Sequence, residues 1–259
     1  MDPDALLEVA RRAAHAAGEL LLRRFRAPAR GVGVKSSTTD MVSDADRDAE
    51  ALIRGILRES RPDDAILGEE TGEEPGGTGL RWVIDPLDGT TNFLFGVPQW
   101  AVSVACEDSR GGLVGVVHGP CQDETFSAIR GGGASLGGEA LRVSERTDLS
   151  DALVATGFSY LPEERAEQAA QLARVLPRVR DVRRPGAAAL DLAWTAAARF
   201  DAYYEVPTHH WDWAAAVVIV REAGGVVSEL PAVGPSGPGL VSGPPALHDA
   251  LRALLTGER

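Results

Sequence analysis

Apolar residues recur at helical spacing at Leu6, Leu7, Ala10, Ala14, Ala17, Leu21 and Phe25. That spacing marks one face of a 3.6-residue period. Asp2 followed by Pro3 supplies a cap and a proline at the first helical position, so a first helix is predicted to about Arg26. A Gly/Ser/Thr-rich loop follows over 27–40. A second helix is predicted over 43–59, with Ala49, Leu52, Ile53 and Ile56 as its apolar face. Short apolar runs predict strands at 65–70 and 81–85, separated by turn chemistry at 71–79. From 100 to 130 the pattern is β-rich in three runs (100–107, 113–119, 124–130), which the glycine-rich 131–138 closes. The second half alternates. Strands are predicted at 152–158, 179–184, 201–205, 225–230 and 239–243, and helices near 162–176, 187–200, 212–224 and 245–256. A Pro/Gly-rich spacer covers 231–239, and no internal repeat is present. The pattern is α/β layering, with a mostly antiparallel first half and an alternating second half that divide near 140–150.

Composition changes this picture little. The 259 residues, 44% hydrophobic and 25% charged, suit a globular protein. No run reaches the roughly 18 apolar residues of a membrane helix. The first residues, acidic then basic, hold no apolar signal stretch, so a cytoplasmic chain is expected. Cys106 and Cys121 form no CxxC pair and are expected to stay reduced. The net charge of −12 argues against direct nucleic-acid or anionic-membrane partners. An anionic substrate would need local help, such as a metal ion. Lys35 is the only lysine; every other side-chain cation of that class is arginine.

The candidate chemistry lies in acids at element ends. "WVIDPLDGTTNF" (82–93) ends an apolar run on Asp85, with Asp88 three residues on. Glu69 and Glu70 end the preceding predicted strand. Asp46 lies near the start of the second helix, and Asp212 opens another. In layered α/β folds such junctions bind ligands. Carboxylates with a backbone carbonyl, here that of Leu87, suit a hard cation such as magnesium, and a pair of such ions can clamp a transferring phosphoryl group. Gly89, Thr90 and Thr91 offer backbone N–H groups to a phosphate at a helix start or amide nest. Thr90 could orient or help deprotonate a water. Each feature alone has a plainer reading: Asp212 as a helix cap, Glu69-Glu70 as a solvated turn, Asp88-Gly89 as a turn dipeptide.

Taken together, "GEE" (68–70), "WVIDPLDGTTNF" (82–93) and "WDWAAA" (211–216) resemble the signature motifs of the inositol monophosphatase family. The resemblance covers nearly the whole chain. "KSSTTDMVSDAD" (35–46) resembles the family's mobile loop and helix start, "RRPGAAALDLAWTAAARFDAYYE" (183–205) its sugar-pocket segment, and "EAGG" (222–225) the end of the following helix. Within the family, "VRDVRRPGAAALDL" (179–192) and "DAYYE" (201–205) most resemble the SuhB type. The resemblance implies an α/β (α+β) fold, a layered αβαβα sandwich with a largely antiparallel N-terminal sheet and a mixed C-terminal sheet. It implies one domain over 1–259, with subdomains of about 1–145 and 146–259. It also implies a lithium-sensitive, Mg2+-dependent phosphatase with two or three ions, working as a homodimer on a sugar or polyol phosphate. Glu69, Asp85 and the Leu87 carbonyl would bind one ion; Asp85, Asp88 and Asp212 a second; Glu69 would also reach a weaker third through water. Thr90, paired with Asp46, would activate the attacking water. The amides of Gly89 and Thr90 would hold phosphate. Asp88, Ala188, Glu205 and Asp212 would meet sugar hydroxyls, and Lys35 and Ser36 would close over the metals.

The implied reaction is direct hydrolysis of myo-inositol 1-phosphate by a metal-activated water. Alternatives are histidinol phosphate, fructose 1,6-bisphosphate or a phosphoadenosine nucleotide as substrate, or a SuhB-like role as a partner of the transcription machinery. His209 and His210 lack zinc-ligand spacing; His209 is expected to line the pocket and His210 to pack. Trp211 and Trp213 are expected to anchor the core, and Glu70 to stand behind the ligands or face solvent. Asp44 departs from the small uncharged residue common at its position in relatives.

Overall fold

The computed structural model describes residues 2–27, 31–34 and 41–257. The helices are α1 (Pro3–Arg24), α2 (Asp44–Ser60), α3 (Thr90–Leu94), α4 (Pro162–Val175), α5 (Ala188–Ala196), α6 (His210–Glu222) and α7 (Pro245–Thr256). The strands are β1 (Gly33–Val34), β2 (Met41–Val42), β3 (Ala65–Gly68), β4 (Gly72–Glu74), β5 (Arg81–Asp88), β6 (Ala101–Asp108), β7 (Gly111–Gly119), β8 (Glu124–Ile129), β9 (Gly133–Leu136), β10 (Glu139–Ala140), β11 (Leu153–Thr156), β12 (Asp181–Arg183), β13 (Ala202–Glu205), β14 (Val226–Leu230) and β15 (Gly239–Gly243).

Three layers of helix enclose two sheets. The larger sheet runs β10-β9-β8-β7-β6-β5-β3-β4 and is antiparallel except where β3 pairs parallel with β5. The smaller runs β12-β11-β13-β15-β14; β11 is parallel to both its neighbours, while β15 is antiparallel to β13 and β14. This is the predicted αβαβα sandwich. One core joins α1 and α2 to the outer face of the large sheet through Leu21, Ile53, Trp82 and Val104. A second lies between the sheets, where α5 and α6 pack against Val83, Val117 and Tyr203. A third closes the small sheet with Val175 at the end of α4 and Leu247 and Leu251 of α7.

Small residues set the close packing of the central layer. A Cβ on Gly115 of β7 would lie against the backbone of Ala215 in α6. The run Ala214–Ala216 is itself buried there. The helix can therefore lie directly on the sheet, with its N-terminal Asp212 beside the ends of β3 and β5.

Four local expectations change. The strand predicted to end at Asp85 continues to Asp88, with a register shift between the two acids: Asp85 faces Ser103 and Asp88 faces Ala101. One extra residue is thus inserted, a bulge that tolerates Pro86, which has no N–H to pair. The 71–79 turn contains an edge strand, β4, paired with β3. The 131–138 closure contains β9, and β10 follows it. In α2 the buried stripe is Asp46, Ala49, Glu50, Ile53, Arg54 and Leu57, so Leu52 and Ile56 are only half-buried. Polar partners at Asp46, Glu50 and Arg54 rotate the helix by roughly one residue from its apolar reading.

Candidate active site

The carboxyl ends of all five strands that pair in parallel, β3, β5, β11, β12 and β13, meet at one cavity of about 670 Å³. Its wall takes Glu69 and Glu70 after β3; Asp85, Leu87 and Asp88 from β5; residues 158–161 after β11; and Glu205 at the end of β13. Gly89, Thr90, Ala188 and Asp212, at the starts of α3, α5 and α6, also line it. Strand ends and helix N-termini thus converge, and the positive ends of the helices face the acids. Lys35 and Ser36 lie outside the described residues.

The two helix-start acids share one device. Asp46 Oδ2 accepts hydrogen bonds from the Ser43 N–H (2.8 Å) and hydroxyl (2.6 Å), closing the cap of α2. Its Oδ1 accepts from the Thr90 hydroxyl at 2.8 Å. Asp212 Oδ2 accepts from the His209 N–H at 2.7 Å in the same way. The capping role that each acid admits is therefore real, and it uses one oxygen while fixing the other. Thr90 Oγ1 lies 3.0 Å from the Leu87 carbonyl as well. Both neighbours are acceptors, so the single Thr90 proton is engaged and its lone pairs are left to accept.

Asp88 reaches across the sheet layers. Its oxygens accept from the N–H groups of Ala188 (2.9 Å), Ala189 (2.8 Å) and Leu190 (3.4 Å), capping α5 from a distant strand. Asp85 Oδ1 accepts from the Leu87 N–H at 3.0 Å, which holds the bulge. Gly89 has φ +89°, and a Cβ there would meet the Gln99 carbonyl at 3.0 Å and the Ala187 methyl at 3.2 Å. Only glycine suits that backbone and that gap.

The acids strain against one another. Burial pushes Asp88 up to about 7, and the charge of Glu205 adds to it, against the pull of the three N–H groups. Burial and then the Glu69 charge hold Asp212 well above the usual carboxylate range. Glu205 is raised by burial, while the Tyr203 hydroxyl (2.6 Å to Oε2) and Arg184 pull it back. Arg184 is exposed at the rim and, with His209, supplies the basic side chains of the described lining.

Several residues escaped the sequence reading. Asp191 is fully buried beside Asp88 and Glu205, and is pushed well above the usual range by burial and both charges. Tyr203 orients Glu205. A Cβ at Gly157 would overlap the Glu205 carboxylate, so that glycine makes its room. Glu50, one turn after Asp46, is buried and holds the Glu69-Glu70 turn; an acid on an otherwise apolar stripe was its available signal. Trp211 is corrected: it packs on the core but also lines the cavity, stacked on His209 with ring centres 5.2 Å apart. His210 turns away to Glu107 and packs edge-on against Trp213. Glu70 lines the cavity beside Glu69.

Residues 2–255 match the model of the inositol monophosphatase family. The chain is 45% identical to an inositol-1-monophosphatase of Rhizobium meliloti over 229 residues, 87% of this chain and 85% of that one. It is 41% identical to the Nus factor SuhB of Escherichia coli K12 over 227 residues, again 87% and 85%. The extragenic suppressor protein suhB of Bartonella henselae has a similar structure, with a TM-score of 0.91 and 38% identity over 98% of this chain and all of that one. Fold, acid-lined cavity and sequence therefore agree: the chain belongs to the inositol monophosphatase family, a phosphatase family.

Proposed function

We propose that the chain hydrolyses a phosphate monoester of a sugar or polyol, with myo-inositol 1-phosphate as substrate and Mg2+ as cofactor. The observation that carries this is the Thr90 hydroxyl, fastened by Asp46 and the Leu87 carbonyl, on the same cavity wall as Glu69, Asp85, Asp88, Asp212 and Glu205. The donors are hard oxygens, and a cation would offset the burial and, secondarily, the neighbouring carboxylate charges that raise Asp88 and Asp212, which suits magnesium better than a thiolate-seeking metal. Among the described residues, no three Asp, Glu, His or Cys side chains form a metal cage by themselves. A shell completed by a carbonyl, water and substrate oxygens is the habit of magnesium.

We assign Glu69, Asp85 and the Leu87 carbonyl to one ion, Asp85, Asp88 and Asp212 to a second, and Glu69 through water to a weaker third. Bound there, Mg2+ would lower the pKa of the attacking water and balance the charge of the phosphate and the departing alkoxide. Thr90 Oγ1, whose proton is held toward Asp46 Oδ1 at 2.8 Å, would take the proton of the attacking water while passing its own to Asp46. The Gly89 and Thr90 amides receive the phosphate oxygens. Glu205, oriented by Tyr203, meets the sugar hydroxyls with Asp88, Asp212 and the Ala188 backbone. The same reading takes the chain as one domain with halves of about 1–145 and 146–259, acting as a cytoplasmic, lithium-sensitive homodimer.

The test is phosphate release from myo-inositol 1-phosphate, histidinol phosphate, fructose 1,6-bisphosphate and a phosphoadenosine nucleotide, each with magnesium and with chelator. Inositol phosphate should be turned over fastest, and only with magnesium. A preference for another ester would move the substrate; no release from any would end the catalytic reading. A second reading has its own support, since relatives of 40–45% identity bear the name Nus factor SuhB. Asp88→Asn separates the two: it should abolish turnover, whereas a partner captured from lysate by a surface outside the cavity would still be captured.

A further inference from the structure

Asp46, Glu50 and Arg54 form a polar stripe at i, i+4 and i+8 on α2, 0%, 0% and 7% exposed. Burying such groups is costly unless every partner is present. Asp46 finds its partners at Ser43 and Thr90. Glu50 finds most of its partners in another element. Its Oε2 accepts from the Glu70 N–H at 2.8 Å. Its Oε1 accepts from the Thr71 N–H at 3.2 Å, the Thr71 hydroxyl at 2.5 Å and Arg54 Nε at 2.9 Å. Arg54 continues to the Gly72 carbonyl at 2.6 Å. The pair therefore lies beneath the turn that joins β3 to β4, the turn that carries Glu69.

That arrangement fixes Glu69 from both sides. Its own N–H donates to the carbonyl of Ile84, the residue before Asp85, at 3.3 Å. The next peptide plane is held through the Glu70 N–H by Glu50. Both peptide planes flanking the Glu69 Cα are thus tied, one to β5 and one to α2. The same face of α2 holds Thr90 one turn earlier through Asp46. There is no slack beneath the turn: a Cβ on Gly68 would lie 2.5 Å from Glu50 Oε1 and 2.8 Å from the Arg54 guanidinium. Glu50 itself does not line the cavity. A buried ion pair is weak evidence for stability, so its geometry calls for a purpose beyond stability.

The geometry points to Glu50 as a positioning residue that sets the cation affinity of the site through Glu69, touching neither cation nor substrate. This rests on the magnesium reading above. Groups that orient metal ligands typically control affinity by 10–100-fold.

Calorimetric titration of the substrate-free protein with MgCl2 tests it. Glu50→Gln replaces one acceptor oxygen by an amide that faces N–H donors, and Gly68→Ala displaces the carboxylate without changing its charge. Each should weaken magnesium binding about 10-fold or more while retaining the far-ultraviolet circular dichroism of the parent. Gly18→Ala, which strains α1 outside the cavity, should lower the melting temperature and leave magnesium affinity unchanged. A folded Glu50→Gln or Gly68→Ala protein that binds magnesium within about twofold of the parent, against the 10-fold expected, overturns the inference. If Glu50→Gln does not fold, Gly68→Ala decides. A parent protein that binds no magnesium overturns instead the reading beneath it, and the inference with it.

Discussion

Gly89 and Thr90 concentrate the constraints of the site in two residues. Gly89 must take φ +89° with the Gln99 carbonyl and the Ala187 methyl against it. A side chain there meets left-handed strain of about 1–2 kcal/mol and overpacking of about 1–3 kcal/mol. Gly89→Ala should therefore lower stability by a few kcal/mol on that arithmetic, measured by urea denaturation, and should remove most turnover by tilting Thr90. Unchanged turnover in that variant would contradict the placement of Thr90 at the chemistry. Gly157 is subtler. A methyl there displaces Glu205 rather than a backbone. Gly157→Ala should raise KM for a polyol phosphate more than it lowers kcat; an unchanged KM would remove Glu205 from the sugar contacts.

At the scale of elements, α1 and β7 make a contact that the chemistry does not use. A Cβ on Gly18 would come within 2.6 Å of the His118 ring and 2.9 Å of Pro120. Gly18→Ala should cost about 1–3 kcal/mol by overpacking, seen as a lower denaturation midpoint. His118 is stacked on His15 with ring centres 4.4 Å apart, and its Nδ1 faces the Glu124 carbonyl and the Thr125 hydroxyl. Burial, and then His15, lower it from 6.5 to about 4. A depressed folded pKa means that the stability is fully present above pH 6.5 and is lost as pH falls toward 4. The loss is at most about 3 kcal/mol. Denaturation of the parent and of His118→Gln between pH 7 and 4 should show a shallower acid limb in the variant; equal slopes would contradict the shift. Elements with one apolar stripe were legible in the sequence to within a few residues, α1 and α7 among them. Elements fixed by partners far along the chain were not. The bulge of β5 depends on β6, and the edge strand β4 has too few side chains to bury to announce itself. The face of α2 was misjudged because its buried carboxylates and Arg54 count as polar until their partners are known.

Over the whole molecule, two sheets of different topology bring five parallel-paired strand ends and three helix starts to one cavity. The acids of that cavity were legible because "DPLDGTTNF" is dense in unusual choices. Asp191, Arg184 and Tyr203 were not, because each looks ordinary until the fold sets it beside Asp88 or Glu205. The central claim is that Thr90, backed by Asp46 and surrounded by magnesium-binding carboxylates, directs water at a phosphate monoester. The most direct measurement is phosphate release from myo-inositol 1-phosphate by the parent and by Thr90→Ala, each titrated with magnesium. The account predicts release that vanishes in chelator, and a loss of about 10²–10⁴-fold in kcat for Thr90→Ala at saturating magnesium. Turnover that persists in chelator, or a Thr90→Ala enzyme as fast as its parent, would contradict it.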